Sequence, residues 1–162
     1  MDNEHILNKL YQSRLDANKE IDHPPILLNL VEQSATTLYY KPIFSLGDLS
    51  LVQGRQKSKK TFFTSSICAA LLNNNSFDKL KAENNDGKTI AVFDTEQSDY
   101  FAQITNKRIA NIAETNDFYY FAFRDSEPKE RKEVIEYFLS QHKGKISYVL
   151  IDGIVDLLYD FN

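Results

Sequence analysis

Leu49-Ser50-Leu51-Val52-Gln53-Gly54-Arg55-Gln56-Lys57-Ser58-Lys59-Lys60-Thr61 is the stretch on which the reading of this chain turns. A short apolar run ends at Gly54, a basic loop follows, and residues 61–72 then read as a largely buried helix. Strand, loop and helix with Gly54, Lys60 and Thr61 in place come close to the phosphate-binding pattern G-x-x-x-x-G-K-[ST]. In that pattern, successive backbone N–H groups and a helix N-terminus cradle phosphate. The lysine reaches the terminal phosphates and the hydroxyl after it binds Mg²⁺. One position departs: Lys59 stands where a glycine would let backbone and phosphate approach closely. Arg55, Lys57, Lys59 and Lys60 put four positive charges into six residues of a chain whose net charge is −4. Such a cluster traps anions locally whatever the average charge. Taken alone, the loop is equally well an ordinary solvated basic turn.

Working outward, residues 89–93 form a continuous apolar run, as in a strand covered on both faces. A helix is predicted over 98–113, a strand over 118–123, a helix from Asp125 or Ser126 to about His142, and a strand over 146–151. Strand alternating with helix in this way predicts an α/β fold with a mostly parallel sheet and right-handed crossovers. Upstream, residues 3–17 have helical spacing and Asp22-His23-Pro24-Pro25 stops that helix. Residues 26–31 and 36–40 read as strands or packed arms. The expected division is a helix and arm at 1–41 packed on a core at 42–162.

Ligands of open parallel sheets bind beyond the carboxyl ends of the strands. The strand at 89–93 leads into Asp94-Thr95-Glu96-Gln97-Ser98, and a carboxylate there can polarise a water attacking a terminal phosphate. The competing reading makes Asp94 or Ser98 a helix cap. Glu96 is the candidate for the chemistry. The last strand ends at Asp152, which either supports a metal or is simply the turn residue of Asp152-Gly153. Lys129 to Lys132, interleaved with glutamates, read as a solvated helix face.

Composition narrows the classes. With one cysteine, Cys68, neither a disulfide framework nor a cysteine zinc cage is expected. His5, His23 and His142 are too scattered for a metal site. The acidic balance speaks against a uniformly basic nucleic-acid-coating protein. No apolar run is long enough to span a membrane and the N-terminus lacks a secretory pattern, so no membrane partner and a cytoplasmic location are expected. Most Tyr and Phe residues fall at core spacing, leaving Tyr100 and Phe101 as the pair able to approach an adenine or a neighbouring subunit.

The order Gly54 to Thr61, Asp94 to Glu96, Tyr148 to Asp152 resembles the RecA/DnaB-like branch of P-loop ATPases. Phe44-Ser45-Leu46-Gly47-Asp48-Leu49 is similar to that family's turn before its phosphate loop. Pro24-Pro25-Ile26 resembles the lead-in of RepA-like ATPases of plasmids and mobile elements, and Lys57-Ser58-Lys59-Lys60-Thr61-Phe62 resembles the loop of relatives that lack the second glycine. The resemblance implies a three-layer α/β/α P-loop fold. It implies that Gly54, Arg55, Gln56, Lys57, Ser58, Lys59, Lys60, Thr61 and Phe62 hold ATP. Thr61 and Asp152 would hold Mg²⁺, and Glu96 and Lys60 would be catalytic. It further implies service in DNA replication or mobilisation of a mobile genetic element, with DNA engaged through the full-length protein and a homo-oligomeric assembly. The sequence stops about ten residues past Asp152, so the expectation is the N-terminal part of a longer protein or a shortened relative. A nucleotide-binding switch or interaction module with little turnover is the alternative. A small-molecule kinase would need a substrate lid, and no arginine-rich insertion suggests one.

Overall fold

The structure, a computed structural model, describes residues 3–55, 59–73, 76–83 and 85–157. Its elements are α1 (Asn3–Ser13), β1 (Ile26–Gln33), β2 (Leu38–Ser45), α2 (Lys60–Asn73), β3 (Ser76–Phe77), β4 (Leu80–Ala82), β5 (Thr89–Asp94), α3 (Asp99–Ala113), β6 (Tyr119–Ala122), α4 (Pro128–Gln141) and β7 (Ile146–Asp152), followed by a 3₁₀ turn at Ile154–Leu157. It is a mixed α/β architecture, with four α-helices and two sheets among the described residues.

β5 is the centre of the smaller sheet, ordered β6-β5-β7 and parallel throughout. Its apolar run needs cover on both faces, and alternate side chains go to opposite sides. Ile90 and Val92 pack with Ile67, Cys68 and Leu71 of α2 and Ile109 of α3. Ala91 and Phe93 face the other way, with Ile135 and Phe138 of α4 and the rings of Tyr119, Phe121 and Phe123. Phe93 stacks on Phe121 at 5.3 Å and meets Phe138 edge-on at 5.7 Å, geometries that aromatic pairs prefer.

Among the described residues four strands of the seven are antiparallel, in the order β2-β1-β4-β3, so the expectation of a mostly parallel sheet is corrected. The hairpin of β1 and β2 carries Leu27, Leu28 and Phe44 into the same core as α2. β2 therefore runs across the expected boundary at residues 41 and 42. β3 and β4, too short for a periodic signal, were not foreseen. Helix α1 forms as expected, and residues 4–25 are all exposed, including Ile6, Leu7, Leu10 and Tyr11.

The largest correction concerns residues 49–52. The predicted strand leading into the phosphate loop is absent, and Leu49 and Leu51 are 95% and 78% exposed. A strand needs a ladder partner for its backbone groups. Among the described residues β7 pairs only with β5, and a cleft of about 540 Å³ separates the 47–52 segment from β7. Segment 49–52 thus lies beside the sheet without joining it.

α2 is buried on most sides although it carries Thr64 and Ser65. Their hydroxyls donate back to the Thr61 carbonyl at 3.2 and 2.7 Å, which satisfies polar atoms inside an apolar helix. Cys68 is fully buried in α2, and burial pushes its thiol up to about 12. It is a packing residue, with no thiolate to act as a nucleophile.

Candidate functional site

Parallel register brings the carboxyl ends of β5 and β7 side by side: Asp94 is aligned with Asp152. The N-terminus of α2 points at the same edge. There the Lys60 ammonium sits 3.3 Å from Asp152 Oδ1, and the Asp152 side chain is 11% exposed. Partial burial opposes the charge on Lys60. Its ion pair and hydrogen bond with Asp152, with the fields of Glu96 and Asp94 behind, outweigh that and hold the lysine above its ordinary value.

Beside this pair opens a second cleft of about 810 Å³, within the range of small-molecule sites. One wall is basic, from Arg55, Lys59, Lys60 and Arg108, and Thr61 and Glu96 also line it. Another wall is apolar, from Phe62, Phe101 and Ile104. The Arg108 guanidinium lies 4.1 Å from the centre of the Phe62 ring, a cation–π contact. Phe62 and Phe101 are both more than half exposed. Lys60 and Glu96 line both clefts, so they stand at the junction.

Lys59 adopts φ +62°. Left-handed backbone costs a side-chain-bearing residue about 1–2 kcal/mol, which is the physical reason a glycine suits this position. The Lys59 carbonyl accepts the N–H groups of Phe62 and Phe63 at 3.0 and 3.2 Å and so opens the helix.

The acidic turn resolves into two jobs. Asp94 is completely buried. Its Oδ1 accepts the backbone N–H of Glu96 at 3.1 Å and of Gln97 at 2.9 Å; its Oδ2 accepts Gln97 Nε2 at 2.6 Å and the Tyr120 hydroxyl at 2.7 Å. Burial, then this bond to Asp94, pushes the Tyr120 hydroxyl well above the ordinary tyrosine range. Asp94 is therefore the structural cap of the turn, while Glu96 is exposed and faces the clefts. Ser98 occupies the N-cap of α3 without a side-chain hydrogen bond.

Of the residues singled out in the sequence, Lys60, Thr61, Glu96 and Asp152 converge on one edge; Gly54, Arg55, Lys59 and Phe62 line the neighbouring cleft. Gln56, Lys57 and Ser58 lie outside the described residues. Tyr100 packs edge-on against Phe101 at 5.3 Å, and of the two only Phe101 lines a cleft.

The chain matches no model of a known protein family, no curated protein and no solved structure. Among the described residues no helix is long and apolar enough to cross a membrane, and no group of three or more His, Cys, Asp or Glu side chains is placed to hold a metal ion.

Several supporting residues carried no legible signal in the sequence. The Thr95 hydroxyl lies within hydrogen-bond reach of the carbonyls of Asp152 (2.9 Å) and Gly153 (3.0 Å) and of Asp156 Oδ2 (2.9 Å), tying β5 to the turn after β7. Arg131, expected on a solvated face, is buried instead, and donates to the carbonyls of Asp156 at 3.0 Å and Arg124 at 2.7 Å. Its neighbours do form the exposed i,i+4 pairs expected of such a face, Lys129 with Glu133 and Lys132 with Glu136. Only the aliphatic contacts of α4 set the periodic pattern, so an arginine turned inward to bond carbonyls is invisible to it.

Proposed function

We propose that this chain is a Mg-ATP-binding ATPase core of the RecA/DnaB-like kind, with a three-layer α/β/α arrangement. The observation that carries the reading is the ion pair of Lys60 with Asp152. It joins the end of the basic loop to the carboxyl end of β7, the two places where a phosphate-binding lysine and a metal-supporting carboxylate must meet.

The donors suit Mg²⁺, which is commonly held by one or two carboxylates together with substrate phosphates rather than by a cage of side chains. Thr61 and Asp152 would hold it, and when bound it would neutralise charge on the phosphates. Lys60 and the α2 N-terminus bind the phosphates, and Arg55 and Arg108 add positive field at the cleft. Glu96 accepts the proton of the attacking water as its oxygen bonds to the γ-phosphorus and the bond to the bridging oxygen breaks. The apolar wall of Phe62, Phe101 and Ile104 is of the right kind for a base. The motif order extends the proposal to service in DNA replication or mobilisation of a genetic element, as a homo-oligomer.

Calorimetry with Mg-ATP tests binding. Lys60→Ala is expected to weaken it at least about tenfold, since a hydrogen bond to a charged group contributes about 1.5–3 kcal/mol. Unchanged affinity would sink the reading. Glu96→Gln is expected to keep ATP bound while lowering turnover about 100-fold or more.

A second reading, a nucleotide-binding module with little turnover, is favoured by Lys59 in the glycine position. Tight ATP binding with no phosphate release by the unaltered chain would select it.

A further inference from the structure

Lys59 is at once the residue where the loop departs from the phosphate-binding pattern and a residue at positive φ. The other described non-glycine residues with positive φ have ordinary local reasons: Asp78 and Asp86 lie in turns, and Glu114 is the C-cap of α3. Of these four, Lys59 is the one that lines either of the two clefts described above.

The charges around it are unequally engaged. Lys60 is paired with Asp152 and feels Glu96 and Asp94 as well. Lys59, Arg55 and Arg108 line the same cleft, and among the described residues none of them has an ion-pair partner. A left-handed residue that persists in a folded chain is held there by its surroundings, and such strain gathers at functional positions. A glycine at 59 would remove the strain and also remove a cation from the cleft.

We infer that Lys59 is a second phosphate-contacting lysine, whose ammonium binds the polyphosphate chain of the ligand alongside Lys60. The inference rests on the cleft being a triphosphate site. Lys60 is shared with Asp152, so its charge is partly answered within the protein; Lys59 brings an unanswered charge to the anion. The departure from glycine is then an exchange of backbone ease for electrostatic attraction. The ligand class is a polyphosphate with its Mg²⁺, and the contact is indifferent to the base.

The test is calorimetric titration of the whole chain with Mg-ATP and with Mg-tripolyphosphate, alongside thermal unfolding of each variant. Lys59→Gly is expected to unfold about 2–4 °C higher, because the strain is relieved. It is also expected to bind both ligands at least about tenfold more weakly. Lys59→Asn, which tolerates left-handed backbone but carries no charge, is expected to lose affinity in the same way. Lys59→Arg, which keeps the cation, retains most of it. If Lys59→Gly or Lys59→Asn binds tripolyphosphate as tightly as the unaltered chain while Lys60→Ala loses it, this inference falls and the triphosphate site stands. If the unaltered chain binds neither ligand, the site reading falls and takes Lys59 with it.

Discussion

Asp94→Ala is expected to destabilise the fold by about 3–5 kcal/mol, because one buried carboxylate accepts four hydrogen bonds and a bond to a charged group contributes about 1.5–3 kcal/mol. Four donors converge on that carboxylate: two backbone N–H groups of the turn, the Gln97 amide and the Tyr120 hydroxyl. Alanine leaves these part-buried donors without their common acceptor at a position that is itself completely buried, and a donor left unsatisfied costs more than the bond itself was worth net. A typical domain holds only about 5–15 kcal/mol in reserve, so the loss would be a large share of the whole. Urea unfolding measures it. Tyr120→Phe removes one donor only and is the graded comparison, expected at about 1–2 kcal/mol. Equal midpoints for Asp94→Ala and the unaltered chain would show that the turn is held by something else.

Gly153→Ala is the second large effect. Gly153 has φ +92°, and a Cβ there would overlap the Thr95 hydroxyl and lie 2.7 Å from Glu96 Cγ and 2.9 Å from Asp156 Oδ2. Backbone strain adds about 1–2 kcal/mol and overpacking about 1–3 kcal/mol, so a loss of about 2–5 kcal/mol in unfolding free energy is expected. Gly144→Ala is the control: φ is +80° but nothing lies within 4 Å of the added carbon, so it carries the backbone part alone. The difference between the two variants isolates the close approach of β7's turn to the acidic turn. Because Glu96 must move to admit the methyl group, Gly153→Ala is also expected to impair any reaction that depends on Glu96. If the two alanine variants unfold alike, the close packing at Gly153 contributes nothing.

Sequence and structure agree best where apolar periodicity sets the answer. β5, α3, β6, α4 and β7 fall close to their predicted bounds because Ile90, Val92, Ile109, Ile135 and Phe138 report both the element and its buried face. Agreement fails where pairing partners matter. Segment 49–52 has the apolar residues of a strand, yet composition says nothing about whether a sheet edge is within reach. β3 and β4 are defined by pairing with each other and with β1, not by any pattern of their own. At the candidate site, Lys60, Thr61, Glu96 and Asp152 were legible because a motif fixes their spacing and strand ends fix their place. Tyr120, Thr95, Gly153 and Arg131 were not, since each acts through a contact with residues distant in sequence. The two readings offered for Asp94 were separable only by its burial and its four donors.

The parallel pairing of β5 with β7 also bears on the order of assembly. The hairpin of β1 and β2 closes over a few residues, an event on the scale of about 1–10 μs. Thr95 and the Asp152 carbonyl it bonds are 57 positions apart, and chain entropy must be spent on that crossover before the pairing gives anything back. Contact order therefore sets the docking of β7 late in folding. On this account Lys60 meets Asp152 only in the last stage, and a chain stalled short of it would lack both that ion pair and the β7 side chains, Val149, Leu150 and Ile151 among them, that complete the core.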